Sequence, residues 1–174
     1  MDPKTLHTLE YFKILEKLAG YCAFAASADK ARGLRPTDNL EEAQQWLKQT
    51  SEAVQMLVTR PDLTIGGARD VRSQVDLAAH GSVLTPSDLL DIKSTLVAAR
   101  TLVRTFERLG TQFPSLSEIA AQIPTAQGVV DSITRAISER AEILDSASEK
   151  LNTIRRELRI THDRLLSKLQ RMVA

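Results

Sequence analysis

Between residues 143 and 174 the chain reads ILDSASEKLNTIRRELRITHDRLLSKLQRMVA, without a Gly or a Pro. Apolar residues fall at Leu151, Ile154, Leu158, Leu165, Leu169 and Met172, at steps of three, four, seven, four and three. Such a seam, close to a 3.5-residue period, belongs to one face of a helix. Asp145, Ser146 and Ser148 offer N-cap side chains just ahead of it. The pattern predicts one helix of about 27 residues, a rod on the order of 40 Å long.

The rest of the chain reads as shorter helices. Leu6, Leu9, Phe12, Leu15 and Leu18 recur at three-residue steps, with Lys13, Glu16 and Lys17 off the stripe. They predict a first helix over 5–18, with Thr5 as its cap and Gly20 as its stop. A short helix is expected after Ser27, broken by Gly33 and Pro36. Asp38 or Asn39 caps a helix over 40–59, whose apolar face is Ala43, Trp46, Leu47, Ala53, Val54, Leu57 and Val58. Gly66-Gly67 marks a tight turn. Val71, Val75, Leu77 and Ala78 suggest a short helix closed by His80-Gly81. Thr85, Pro86 and Asp88 are a start signal for a long helix over 86–109. Leu89, Ile92, Leu96, Val103 and Phe106 cover so much of it that neighbours on several sides are expected. Two more helices follow, over 115–123 and after Gly128, and residues 142–144 read as briefly extended. No other segment alternates with period two. The expected fold is all-α, a multi-helix bundle of seven or eight helices ending in a long C-terminal helix. It forms one domain over 1–174, divisible into helical subdomains at 1–82 and 83–174.

Composition narrows the class. With 43% hydrophobic and 26% charged residues, the chain has the make-up of an ordinary folded domain. Aromatics are 4%, so aliphatic side chains must fill the core and there is little material for stacking bases. The net charge of +1 argues against a chain basic throughout, and leaves room for a local basic face. Cys22 is alone, which excludes an intramolecular disulfide and suits a reducing compartment. No apolar run approaches the ~20 residues that span a bilayer, and the opening MDPKTLHTLE has no signal-like apolar core. A cytoplasmic protein without a membrane partner is expected.

Side chains with catalytic chemistry are sparse. His7, His80 and His162 lie on different elements, and Cys22 has no second cysteine with which to hold a metal. Gly66-Gly67 has no strand before it and no Gly-Lys-Ser/Thr after it, so it reads as a turn rather than a phosphate loop. Arg69, Asp70 and Arg72 read as surface ion pairs or anchors of that turn. No catalytic, cofactor-binding or metal residue is therefore assigned. From Lys150 to Ala174 the C-terminal helix carries Lys150, Arg155, Arg156, Arg159, Arg164, Lys168 and Arg171, opposed only by Glu157 and Asp163. Phosphate neutralisation drives much nonspecific nucleic-acid affinity. Arg155, Arg156, Arg159, Arg164 and Lys168 are accordingly the candidate nucleic-acid contacts; the alternative is a solvated helix face.

Three stretches in order resemble the bacterial MutS family, MutS-II type. The first is TLHTLEYFKILEKLAGYC with LRPTDNLEEAQQWLKQTSEA after it. The second is TIGGARDVRSQVDLAAHGSVLTPSDLLDIKSTLVAARTL, with the Gly-x-Arg-Asp-x-Arg and Leu-x-Pro-x-Asp-Leu-Leu patterns. The third is ILDSASEKLNTIRREL, an Asp-x-x-Ser followed by Leu and then Ile-Arg, similar to the opening of a long helix in the MutS core/lever region. The resemblance implies an N-terminal core/lever fragment, non-catalytic in itself, that couples nucleotide state to the grip of a clamp on nucleic acid. It implies ATP and Mg bound elsewhere in a full-length protein, and partners in its clamp and ATPase domains. It further implies DNA or ribosomal RNA as target and a homodimer when full length. The family is associated with binding mismatched or branched DNA, endonuclease action, suppression of homologous recombination and rescue of collided ribosomes. No Walker motif, clamp insertion or Smr domain occurs within the 174 residues, so no ATPase or nuclease residue is carried over. The alternative is a self-contained helical dimerisation or interaction module.

Overall fold

The computed structural model describes residues 2–62 and 66–173. Thr64 and Ile65 of the TIGGARD segment, and Ala174 at the end of the expected rod, lie outside the described residues. The described residues form α1 (Pro3–Thr8), α2 (Tyr11–Ala19), α3 (Ala25–Arg32), α4 (Leu40–Thr59), α5 (Arg72–Ala79) and α6 (Pro86–Leu109). They continue with α7 (Pro114–Ala121), α8 (Gln127–Ala136), a 3-10 turn (Asp145–Ala147) and α9 (Glu149–Val173). The fold is all-α and ends in a long helix. Among the described residues, strand-like pairing is confined to one antiparallel bridge, Ile137 to Ile143, at the segment read as extended.

Local chemistry explains the sharpest boundaries. The Thr85 hydroxyl accepts the Asp88 amide at 3.3 Å, and the Asp88 carboxylate accepts the Thr85 amide at 3.0 Å. This reciprocal pair, with Pro86 in the first helical position, starts α6 where the sequence predicts it. The Asn39 side-chain oxygen accepts the amides of Glu41 and Glu42 at 2.9 and 3.4 Å and starts α4.

The expected first helix is two helices. Glu10 sits in the left-handed region at φ 52° and separates α1 from α2. A stripe at three-residue steps drifts about 60° per step around a 3.6-residue helix, so one straight helix cannot bury it all. The break instead buries Leu6 and Leu15 and leaves Leu9 and Phe12 exposed. Thr5 lies inside α1, which begins with Pro3. Ser27 lies inside α3, where its hydroxyl donates to the Phe24 carbonyl at 2.7 Å. At the start of α9 only Ser148 caps, accepting the Leu151 amide at 3.1 Å; Asp145 and Ser146 belong to the 3-10 turn.

Packing is pairwise rather than around one deep core. α2 packs on α3, α7 and α8 on α6, and α4 on α7. The densest cluster is Phe106, Phe113 and Ala120, with Met56, Leu102, Leu109 and Leu116 against it. α4 meets α7 through Glu52 and Met56, so of the stripe read as its inner face Ala43 and Ala53 are half-buried and the larger side chains are not covered. Leu47, Val54, Leu57 and Val58 are exposed. α9 packs chiefly on its own 3-10 turn. The accessible surface is 13300 Å², whereas a folded monomer of this mass exposes about 8,400 Å².

Candidate functional site

The base of α9 is built by a short backbone device. The Ile137–Ile143 bridge is closed by the Ser138 amide donating to the Glu142 carbonyl at 2.9 Å, with Ala141 left-handed at φ 59° between them. The Leu144 amide donates to the Ala136 carbonyl at 2.8 Å, and the Ser146 hydroxyl to the Arg135 carbonyl at 2.6 Å. These bonds bind the 3-10 turn to the end of α8.

Onto this turn α9 lays two of its arginines. Arg155 Nη1 donates to Asp145 Oδ1 at 2.6 Å and to the Ile143 carbonyl at 2.9 Å. Arg159 Nη2 reaches Asp145 Oδ2 at 3.4 Å. The Arg155 hydrogen bond holds the Asp145 carboxyl below the usual carboxylate range, against a smaller opposing effect of desolvation; the charges of Arg155 and Arg159 add to it. The sequence offered Asp145 as one of three candidate caps, with Ser146 and Ser148. With Ser148 in that role, Asp145 is free to pair, and the acidic residue left over before a capped helix was the available signal.

The five candidate contacts do not form one surface. At about 100° per residue, Arg159 lies about 40° from Arg155, Arg156 about 100° from it, and Arg164 and Lys168 about 180–220° from it. Arg155 and Arg159 share one side and are engaged by Asp145. Arg164 and Lys168 border a shallow groove on the distal half of the helix together with Ile160 and Arg171. Among the described residues, no ion pair involves Arg156, Arg164 or Lys168. The apolar seam runs between the two basic sides and is open, with Leu158 66% and Leu165 54% exposed.

The remaining chemistry-bearing residues are held locally. His80 Nδ1 lies 2.7 Å from the Asp76 carbonyl, and the Cys22 thiol lies 3.6 Å from the Leu18 carbonyl. No cluster of three or more His, Cys, Asp or Glu side chains able to hold a metal occurs among the described residues. Arg69, Asp70 and Arg72 anchor the turn after Gly66-Gly67. The Arg69 amide donates to Thr95 Oγ1 on α6 at 2.9 Å, and Arg72 joins Asp70 to Asp29 of α3 at 2.5 and 2.7 Å. The hydrogen bonds that Arg72 donates to Asp70 and then to Asp29 raise its guanidinium further above its ordinary range. No helix of the described residues is long and apolar enough to cross a membrane.

No family model matches the chain. It is 38% identical to a protein named Endonuclease MutS2 from Thermomicrobium roseum, over 177 residues that are 100% of this chain and 22% of that protein. It is 37% identical to Endonuclease MutS2 of Bacillus cytotoxicus and 34% identical to that of a Geobacillus species, each over 99% of this chain and 22% of the relative. The chain therefore spans about a fifth of the length of the curated relatives it matches. Along its entire length, in agreement with the three ordered stretches, the chain is similar to about a fifth of proteins named Endonuclease MutS2, as a fragment of a MutS2-type protein would be.

Proposed function

We propose that this chain is the N-terminal core/lever part of a MutS2-type protein. Its task is mechanical: α9 carries the nucleotide state of a distant ATPase domain to a clamp that grips nucleic acid. The observation that carries this reading is α9 itself. Its 25 residues are joined to the fold at one end and extend about 37 Å with neither Gly nor Pro to bend them. A surface of 13300 Å², with open apolar stripes on α4 and α9, supports the remainder of a MutS2 protein as the partner. In this reading ATP, Mg and endonuclease chemistry belong to other domains of a homodimer. DNA or ribosomal RNA is the target, in the service of recombination suppression or ribosome rescue in the cytoplasm. The purified chain is expected neither to hydrolyse ATP nor to cut DNA. Turnover of either kind, abolished by a point change within the 174 residues, overturns the proposal.

The basic side chains of α9 are proposed as its contact with phosphate. Arg156, Arg164 and Lys168 are available without breaking an ion pair; Arg155 and Arg159 become available only by leaving Asp145. Replacing Arg156, Arg164 and Lys168 by Ala should weaken binding and flatten its salt dependence by roughly two to three in log–log slope. Binding indifferent to the triple variant refutes the contact.

A second reading, a self-contained dimerisation module, is favoured by one observation. Leu151, Leu158, Leu165 and Met172 recur every seven residues along the open seam of α9. Light scattering separates the two. A dimer that persists on dilution and is lost in Leu158→Asp favours the module; a monomer favours the lever.

A further inference from the structure

We propose that Asp145 is the clasp that sets the direction of α9. Its carboxylate, held between Arg155 and Arg159, converts a loosely jointed helix into one of fixed bearing. The mechanical use of that bearing rests on the lever reading above; the clasp itself does not.

The joint needs such a part. Backbone bonds tie residues 137–144 to one another and to the end of α8, and the Ser146 hydroxyl adds one more tie to Arg135. Nothing in that set reaches past the first turn of α9. Ser148 caps the helix, but a cap fixes where a helix begins rather than where it points. Two attachments one helical turn apart do fix an axis, and Arg155 and Arg159 are so spaced. Arg155 holds both the Asp145 carboxylate and the Ile143 carbonyl, and Arg159 holds the second carboxylate oxygen. Over a rod of about 37 Å, a 10° change at the base moves the tip about 6 Å. A small slackening at Asp145 is therefore large at the far end.

The chemistry suits a clasp that opens. Asp145 and Arg155 each keep 42% of their side-chain surface exposed, and Arg159 keeps 68%. Ion pairs so placed are weakened by salt and hold only modestly. The carboxylate is also dispensable for starting the helix, since Ser148 does that. Removing it should free the bearing of α9 and leave its helicity intact.

The test is a distance measurement on the whole 174-residue chain. With Cys22→Ser, spin labels at Ser132→Cys on α8 and Gln170→Cys near the tip of α9 report the bearing by pulsed electron resonance. The expected result is one narrow distance at low salt. Asp145→Asn and Arg155→Ala should at least double its width with unchanged helical circular dichroism, and molar salt should broaden the parent likewise. Arg156→Ala, next in sequence and unpaired, should leave it narrow. Asp145→Asn with the parent's distribution overturns the proposal, as does equal broadening by Arg156→Ala. So does a loss of helicity in Asp145→Asn, which would make the residue a helix starter. No nucleotide enters the measurement, so failure of the lever reading, seen as absent coupling to ATP in a whole MutS2 protein, is separate from failure of the clasp.

Discussion

The Glu52 carboxylate of α4 accepts the Ser115 hydroxyl at 2.8 Å and, with its other oxygen, the Leu116 amide at 3.1 Å. Both groups are in the first turn of α7, where free amides and a positive partial charge favour an acid. One helix thus supplies the cap of another, 63 residues away. The bond is buried, with Glu52 9% and Ser115 6% exposed. Glu52→Ala leaves the Leu116 amide without its acceptor and should cost about 1–3 kcal/mol in urea unfolding. Ser115→Ala removes one bond and should cost about 0.5–1.5 kcal/mol. A double-mutant cycle should return a coupling of at least about 0.5 kcal/mol. Strict additivity would mean that the contact contributes nothing.

Asp88 predicts a pH dependence. The Thr85 hydroxyl, foremost, and the Thr85 amide hold its carboxyl below the usual carboxylate range. A carboxyl lowered in the folded state binds fewer protons there than in the unfolded chain. Its contribution is then complete above the unfolded value near ~3.9 and is lost as pH falls through the lower folded value. Asp88→Asn should therefore be less stable than the parent by a constant margin from about pH 5 upward, with the margin closing below about pH 4. Urea midpoints for the pair across that range read it directly. A margin that grows toward acid has the wrong sign for this cap.

Two glycines should respond oppositely to alanine. Gly67 has φ +91°, and among the described residues an added Cβ meets the Ala98 methyl and the Ser94 carbonyl at 3.9 Å. Space is adequate, so the cost is backbone strain, about 1–2 kcal/mol for a side chain held in that region. Gly128 lies in the first turn of α8, and no atom of the described residues lies within 4 Å of an added Cβ. Gly128→Ala should stabilise by about 0.4–1 kcal/mol, chiefly by restricting the unfolded chain. Thermal unfolding of the two variants checks both signs together.

What was legible in the sequence was what is chemically local. Thr85, Pro86 and Asp88 start α6, and Asn39 starts α4, through groups within three residues of one another, so type and spacing suffice to read them. Other features depend on partners that no short window contains. Glu52 finds Ser115 across 63 residues, and this decides which face of α4 is covered. The apolar stripe through Leu47, Val54 and Val58 was read as the inner face, and α7 docked on the side where the acid is. Arg155 and Arg159 were read as phosphate contacts or a solvated face, and their pairing with Asp145 across 10 and 14 residues is set by the 3-10 turn, which the pattern did not show. The break at Glu10 was indirectly visible, since leucines at strict three-residue steps cannot stay on one face of a helix.

Buried and open apolar side chains should respond differently to substitution. Phe106 is 6% exposed at the centre of the cluster joining α6 to α7, and Phe106→Ala should cost about 3–5 kcal/mol through lost burial and the cavity left behind. Leu158 and Leu165 are as apolar but stand on the open seam of α9, where they have little burial to lose. Leu158→Asp and Leu165→Asp should each change the stability of this chain by no more than about 0.5 kcal/mol, as substitutions on an uncovered surface do. If the seam instead closes against a second copy, each Asp would disrupt an apolar interface, so each substitution would cost more and the parent's unfolding would depend on protein concentration. Urea unfolding of Leu158→Asp at two concentrations a hundredfold apart distinguishes these outcomes: coincident curves at the parent's midpoint mean an open seam, and separated parent curves that merge in the variant mean a dimer.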